Sequence, residues 1–186
     1  GIPPFTLHPE SFPVIVPIAG TRRATPLSNT HLGELLVPAV RGLADLDVLV
    51  VAATARDDGP EMMQQALGAV PDNVRLTGFV PFDRLLPLAD VLVTNGGYGG
   101  VHVALQHGVP IVVAGASEDK PEVAARVEWT GTGVNLRTGT PKPADVREGV
   151  QKIFGSNGYR MRAQALRKEF GEYQPFDAIA AVVEAV

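Results

Sequence analysis

The sequence predicts an α/β fold, a Rossmann-like parallel sheet with helices on both faces. Short apolar runs alternate with helical segments along most of the chain, as in a parallel sheet buried on both sides. One stretch shows the pattern whole. The apolar run Val91, Leu92, Val93 and Thr94 meets the glycines Gly96, Gly97, Gly99 and Gly100. A helix follows, then the stop Gly108-Val109-Pro110 and a second apolar run to Ala114. A chain of 186 residues, 45% apolar and 19% charged, is one ordinary globular domain with room for a sizeable core.

The elements are expected in this order. Residues 1–12 hold three prolines, which prevent a helix, and read as an extended linker; the domain proper is 13–186. Residues 13–18 form a buried strand. Thr30 caps a helix over 31–44, with Glu34 at capping-box spacing. A strand over 47–53 precedes a short helix opened by Pro60. A strand and turn cover 73–79, and a short helix 83–88. The glycine unit supplies a strand over 90–94, a helix over 97–107 and a strand over 110–114. Helix 118–129, strand 133–136 and helices 143–154, 159–173 and 175–186 complete the chain.

Composition excludes several classes. There are no cysteines, so disulfides, thiolate catalysis and cysteine-ligated metals are ruled out. A net charge of −4 gives no reason to expect nucleic-acid binding. No apolar run approaches the roughly 20 residues of a membrane span. The first ten residues lack the basic and apolar regions of a signal peptide, and a cytoplasmic location is expected.

In such sheets ligands bind beyond the carboxyl ends of the strands. Four loops fall there: 19–23, 78–82, 95–100 and 115–120. The third is the most specific. Free N–H groups at a helix start, backed by the helix dipole, suit phosphate oxygens, and glycine lets a bulky anion approach the backbone. A nucleotide or nucleotide-sugar site is the first hypothesis.

Taken together, these loops resemble the C-terminal, donor-binding domain of GT-B glycosyltransferases. The likeness is to the UDP-glycosyltransferase superfamily, including bacterial enzymes that glycosylate macrolides and other natural products. It runs from about Pro13 to Phe170. Gly78-Phe79-Val80-Pro81, the stretch from Thr94 to Gly100, Gly108-Val109-Pro110, Glu118-Asp119-Lys120 and Ala124-Ala125-Arg126-Val127 follow the family pattern in order.

The resemblance implies roles. Phe79 sits where an aromatic ring stacks on uracil or thymine, and Val80 where backbone groups bond the base edge. Asn95, Gly96, Gly97, Tyr98, Gly99 and Gly100 occupy the diphosphate loop, and Gly20 and Thr21 a Gly-Thr loop near the same phosphates. Asp119 and Lys120 stand where an acid–glutamine pair grips sugar hydroxyls. The implied donor is a UDP- or TDP-sugar, used without a metal or other cofactor. The implied partner is an N-terminal acceptor-binding domain of the same protein. The general base belongs to that domain, so no catalytic residue is assigned here, and the chain alone is expected to turn over little or nothing.

The sequence also departs from the pattern. The family's loop histidine is Asn95, which can donate a hydrogen bond but carries no charge. Its ribose-binding glutamate is Val103, which can do neither. Gly100 replaces a hydroxyl residue, and Lys120 a glutamine.

Each signal has a plainer reading. The glycines suit any tight strand-to-helix turn, Phe79 any core, and Asp119 any acidic helix start. Trp129 reads as a packing residue. Arg160, Arg162, Arg167 and Lys168 read as a solvated helix face. His102 and His107, at i,i+5, are poorly spaced for one metal. Other functions compete: a non-catalytic nucleotide-sugar binder, or a GT-B relative such as an epimerase or cell-wall glycosyltransferase. A dinucleotide oxidoreductase ranks last, because no Gly-x-Gly-x-x-Gly follows the first strand.

Overall fold

The computed structural model describes residues 12–17, 32–172 and 183. Six strands form one parallel sheet. They are β1 (Phe12–Pro17), β2 (Val48–Ala53), β3 (Val74–Thr77), β4 (Val91–Thr94), β5 (Ile111–Val113) and β6 (Gly133–Asn135). The order is β3-β2-β1-β4-β5-β6. Strand order reverses between β1 and β4, which is where such sheets open a ligand crevice.

Seven α-helices cover it among the described residues. They are α1 (Val37–Leu43), α2 (Gly59–Leu67), α3 (Phe82–Leu85), α4 (Tyr98–Gln106), α5 (Lys120–Trp129), α6 (Pro143–Phe154) and α7 (Asn157–Glu172). Successive β4 residues face opposite layers, as the two-residue strand period requires. Val91 and Val93 join the core beneath α1, α2 and α6. Leu92 joins the core beneath α4 and α5. All three are fully buried, each worth about 1.5–3 kcal/mol. This double burial explains why β4 reads as a continuous apolar run rather than an alternating one.

Most expected elements appear within two residues, and the differences have local causes. The strand at the N-terminus starts at Phe12, inside the expected linker. The helix expected over 31–44 is interrupted. A wide π-type turn (Leu32–Leu36) precedes α1, because Pro38 has no N–H to give the Glu34 carbonyl. The Thr30 cap lies outside the described residues, as do Gly20, Thr21 and nearly all of the expected last helix. Strand β3 ends at Thr77 and turns at Gly78, within the strand and turn expected over 73–79. Helix α5 starts two residues late because Glu118 takes φ +58°, a left-handed conformation incompatible with a right-handed helix.

Candidate functional site

Three of the four expected loops are described, and two of them are interlocked. Gly96 has φ +84°, which glycine adopts freely, and a Cβ there would stand 2.8 Å from Val113 Cγ2. In the next loop, a Cβ on Gly115 would overlap the Asn95 carbonyl and stand 2.7 Å from Lys120 Cβ. Main chain therefore presses on main chain. The structure brings Asn95, Gly96, Gly97, Asp119 and Lys120 into one neighbourhood at the carboxyl ends of β4 and β5.

Within the 95–100 loop the amides fall into two sets. The Gly96 N–H donates to Thr94 Oγ1 at 3.3 Å, and the Gly97 N–H to Asn95 Oδ1 at 3.2 Å. Asn95 thus spends its acceptor on folding the loop. Gly97 is the N-cap of α4, without a side-chain cap. The Val101 N–H closes the first turn onto the Gly97 carbonyl. That leaves the amides of Tyr98, Gly99 and Gly100 as the unused first-turn donors, with no acceptor among the described residues. At the helix start they carry a partial charge of roughly +0.5. Among the described residues, a Cβ on Gly99 would meet nothing within 4 Å.

The turn at Gly78 is set by backbone pairing. The Ala55 N–H donates to the Gly78 carbonyl at 2.7 Å, and the Thr54 N–H to the Thr77 carbonyl at 2.9 Å. A Cβ on Gly78 would lie 2.6 Å from the Arg56 carbonyl. Next to this turn, Phe79 is 69% exposed, so it is no core residue. Val80 is half-buried. The turn ends β3, three strand spacings from β4, or roughly 14 Å. The two loops therefore stand apart along the carboxyl edge of the sheet.

Lys120 opens α5, and its ammonium is paired with the Glu118 carboxylate. That hydrogen bond, chiefly, holds the Glu118 carboxyl below its ordinary value. Asp119 is the exposed N-cap of α5 but makes no cap bond. It lines a groove of about 460 Å³ between α4 and α5, with Tyr98, His102 and Arg126. A hydrogen bond from Arg126 to Glu122 raises the arginine's affinity for its proton. Val103 is half-buried and packs against the core under α4.

Some expectations are corrected. Trp129 is 88% exposed rather than packed. Arg160 is not part of a purely solvated face; it bonds the Asp90 carboxylate and carbonyl at the foot of β4. Sequence reasoning missed three features: the Thr54–Arg56 support of the turn at Gly78, the Glu118–Lys120 pair, and a run of ring contacts. Tyr98 and His102 rings are 5.7 Å apart, and His102 and Phe170 rings 4.7 Å. Spacing of i,i+4 could have flagged the first contact; the second joins distant segments. Among the described residues no group of metal-ligating side chains is gathered, and no helix is long and apolar enough to cross a membrane.

Known proteins resemble this chain in sequence and fold. 4'-Demethylrebeccamycin synthase of Lentzea aerocolonigenes is 47% identical over 82% of this chain and 33% of its own length. UDP-glucosyltransferase 1 of Beauveria bassiana is 39% identical over 87% of this chain and 36% of its own. The chain thus spans about a third of the length of the curated relatives it matches. The solved structure of glycosyltransferase VinC in complex with DTDP superposes with a TM-score of 0.71 at 27% identity. It covers 88% of this chain and 38% of that one. The family model described as erythromycin biosynthesis protein CIII-like, C-terminal domain, matches residues 39–185; the chain belongs to that family and is a glycosyltransferase domain of the GT-B fold.

Proposed function

We propose that this domain binds a pyrimidine nucleoside diphosphate sugar, UDP- or TDP-linked, as donor for transfer to an acceptor hydroxyl of a natural product. The observation that carries the reading is the trio of unused amides at Tyr98, Gly99 and Gly100, at the switch point of the sheet. The diphosphate sits against them, with Gly96 and Gly97 shaping the loop; Gly20 and Thr21, which follow β1 in the sequence, are assigned to the same phosphates. Phe79 stacks on the base, and Val80 offers its backbone to the base edge. Asp119 and Lys120 face the sugar end, and Val103 occupies the ribose position without bonding it. The relatives support the donor class: one is a UDP-glucosyltransferase, and a structural neighbour was solved with DTDP.

Chemically, the barrier to transfer includes charge growing on the departing diphosphate. Preorganised N–H donors and a helix start stabilise that charge, the role a divalent metal plays in other transferases. Acceptor recognition and the general base are assigned to an N-terminal domain of the same protein. The match to a C-terminal domain family and the greater length of the relatives support this division.

Calorimetric titration with UDP, TDP, GDP and NAD tests the reading. A pyrimidine diphosphate should bind best. NAD binding without a pyrimidine response would overturn it.

A second reading, a nucleotide-sugar binder that does not transfer, is favoured by one observation. Val103 packs into the core where the resemblance places a ribose-binding glutamate. Donor binding without transfer in the full-length protein would support it. Restored transfer in Val103→Glu would mark the lost ribose contact as the cause.

A further inference from the structure

The 95–100 loop faces a dianionic ligand with no charge of its own. Asn95 is neutral, and its oxygen is engaged by the Gly97 N–H. A cation is nevertheless close by. The Lys120 side chain is only 15% exposed. A Cβ on Gly96 would stand 3.7 Å from Lys120 Cβ and 3.5 Å from its carbonyl oxygen. The stem is thus packed against the phosphate loop, and its four-carbon length gives the ammonium reach. That ammonium is held by Glu118, whose own side chain is 75% exposed and whose backbone sits at φ +58°. A solvent-exposed carboxylate is a weak competitor for a lysine, because water screens the pair. A diphosphate bound at the loop would be a stronger one.

We infer that Lys120 is the cationic ligand of the diphosphate, its ammonium exchanging the Glu118 carboxylate for an oxygen of the phosphate nearest the sugar. It supplies the charge that Asn95 does not. This rests on the donor-site reading above and moves Lys120 from sugar hydroxyls to phosphate. Glu118 holds the ammonium in place while the site is empty, and releases it when the anion arrives.

The test is calorimetric titration of the full chain and its variants with UDP and TDP, and with UMP and TMP as shorter probes. Lys120→Met keeps the packed stem and removes the charge. It should weaken the diphosphates about tenfold or more, as loss of a hydrogen bond to a charged group does. The monophosphates, which lack the contacted phosphate, should change less than about twofold by the same reasoning. Lys120→Arg should retain most of the affinity, and Glu118→Gln should tighten diphosphate binding by freeing the ammonium. Adding Asn95→His to Lys120→Met should recover part of the loss. Melting curves on each variant separate lost binding from lost fold. Diphosphate affinity unchanged in a folded Lys120→Met would overturn the inference while leaving the donor site standing. So would equal losses for mono- and diphosphates. No nucleoside diphosphate bound by the wild-type chain would overturn the donor site itself.

Discussion

Gly115 is stacked against the Asn95 carbonyl so closely that a single added carbon would overlap it. This contact fixes the loop after β5 against the loop after β4. Gly115→Ala must push the two apart, at a cost of about 1–3 kcal/mol, the usual penalty of overpacking. Urea unfolding should show the lower midpoint, and diphosphate affinity should fall with it. Wild-type stability in the alanine variant would show that the loops are not braced there.

Gly97 behaves differently. Its φ −58° and ψ 130° are open to any L-residue, so Gly97→Val should melt like the wild type. The branched side chain then obstructs phosphate approach. Titration should show the diphosphate weakened by about tenfold or more, about 1.4 kcal/mol or above. Unchanged affinity would count against the assigned loop.

Phe79 separates base recognition from packing. Since it is 69% exposed, Phe79→Ala should change stability by no more than about 0.5 kcal/mol. A core phenylalanine would cost about 3–5 kcal/mol. Binding of UDP and TDP should weaken, while any residual response to inorganic pyrophosphate stays as it was. Equal binding of the nucleotides by wild type and variant would remove Phe79 from the site.

Acid should loosen the domain through Asp45. This residue follows α1, and Arg147 of α6 bonds both its carboxylate oxygens, one at 3.1 Å. Chiefly through that hydrogen bond, the carboxyl is held below its ordinary value of 3.8. A depressed folded-state value means the unfolded chain takes up its proton first as pH falls. The contribution is therefore complete above the ordinary value, and is lost as pH drops from there through the lower folded one. Denaturant midpoints should put Asp45→Asn below wild type at pH 7, with the gap narrowing below pH 4 or so. A gap that widens in acid would contradict the sign.

The architecture was legible because it rests on local chemistry. The runs at β2, β4 and β5 are apolar in every layer, and Pro60, Pro121 and Pro143 mark helix starts. Where local rules failed, a distant or unusual backbone state decided. Glu118 gives no sequence hint of a positive φ, since glutamate rarely adopts one. The Arg160–Asp90 bond spans seventy residues, beyond any periodicity. Trp129 was misjudged for another reason: at the end of α5 its exposure depends on what the rest of the surface leaves uncovered. The order of the site motifs along the chain was readable. Which amides stay unused was not, because that depended on Thr94 and Asn95 turning their oxygens inward.

The donors at the start of α4 belong to the peptide unit, and so every residue type except proline carries them. On the proposed reading, the side chain at Asn95 can therefore be exchanged without removing these backbone donors. Under the same reading, preference for one sugar or base can drift while the peptide donors at the helix start persist.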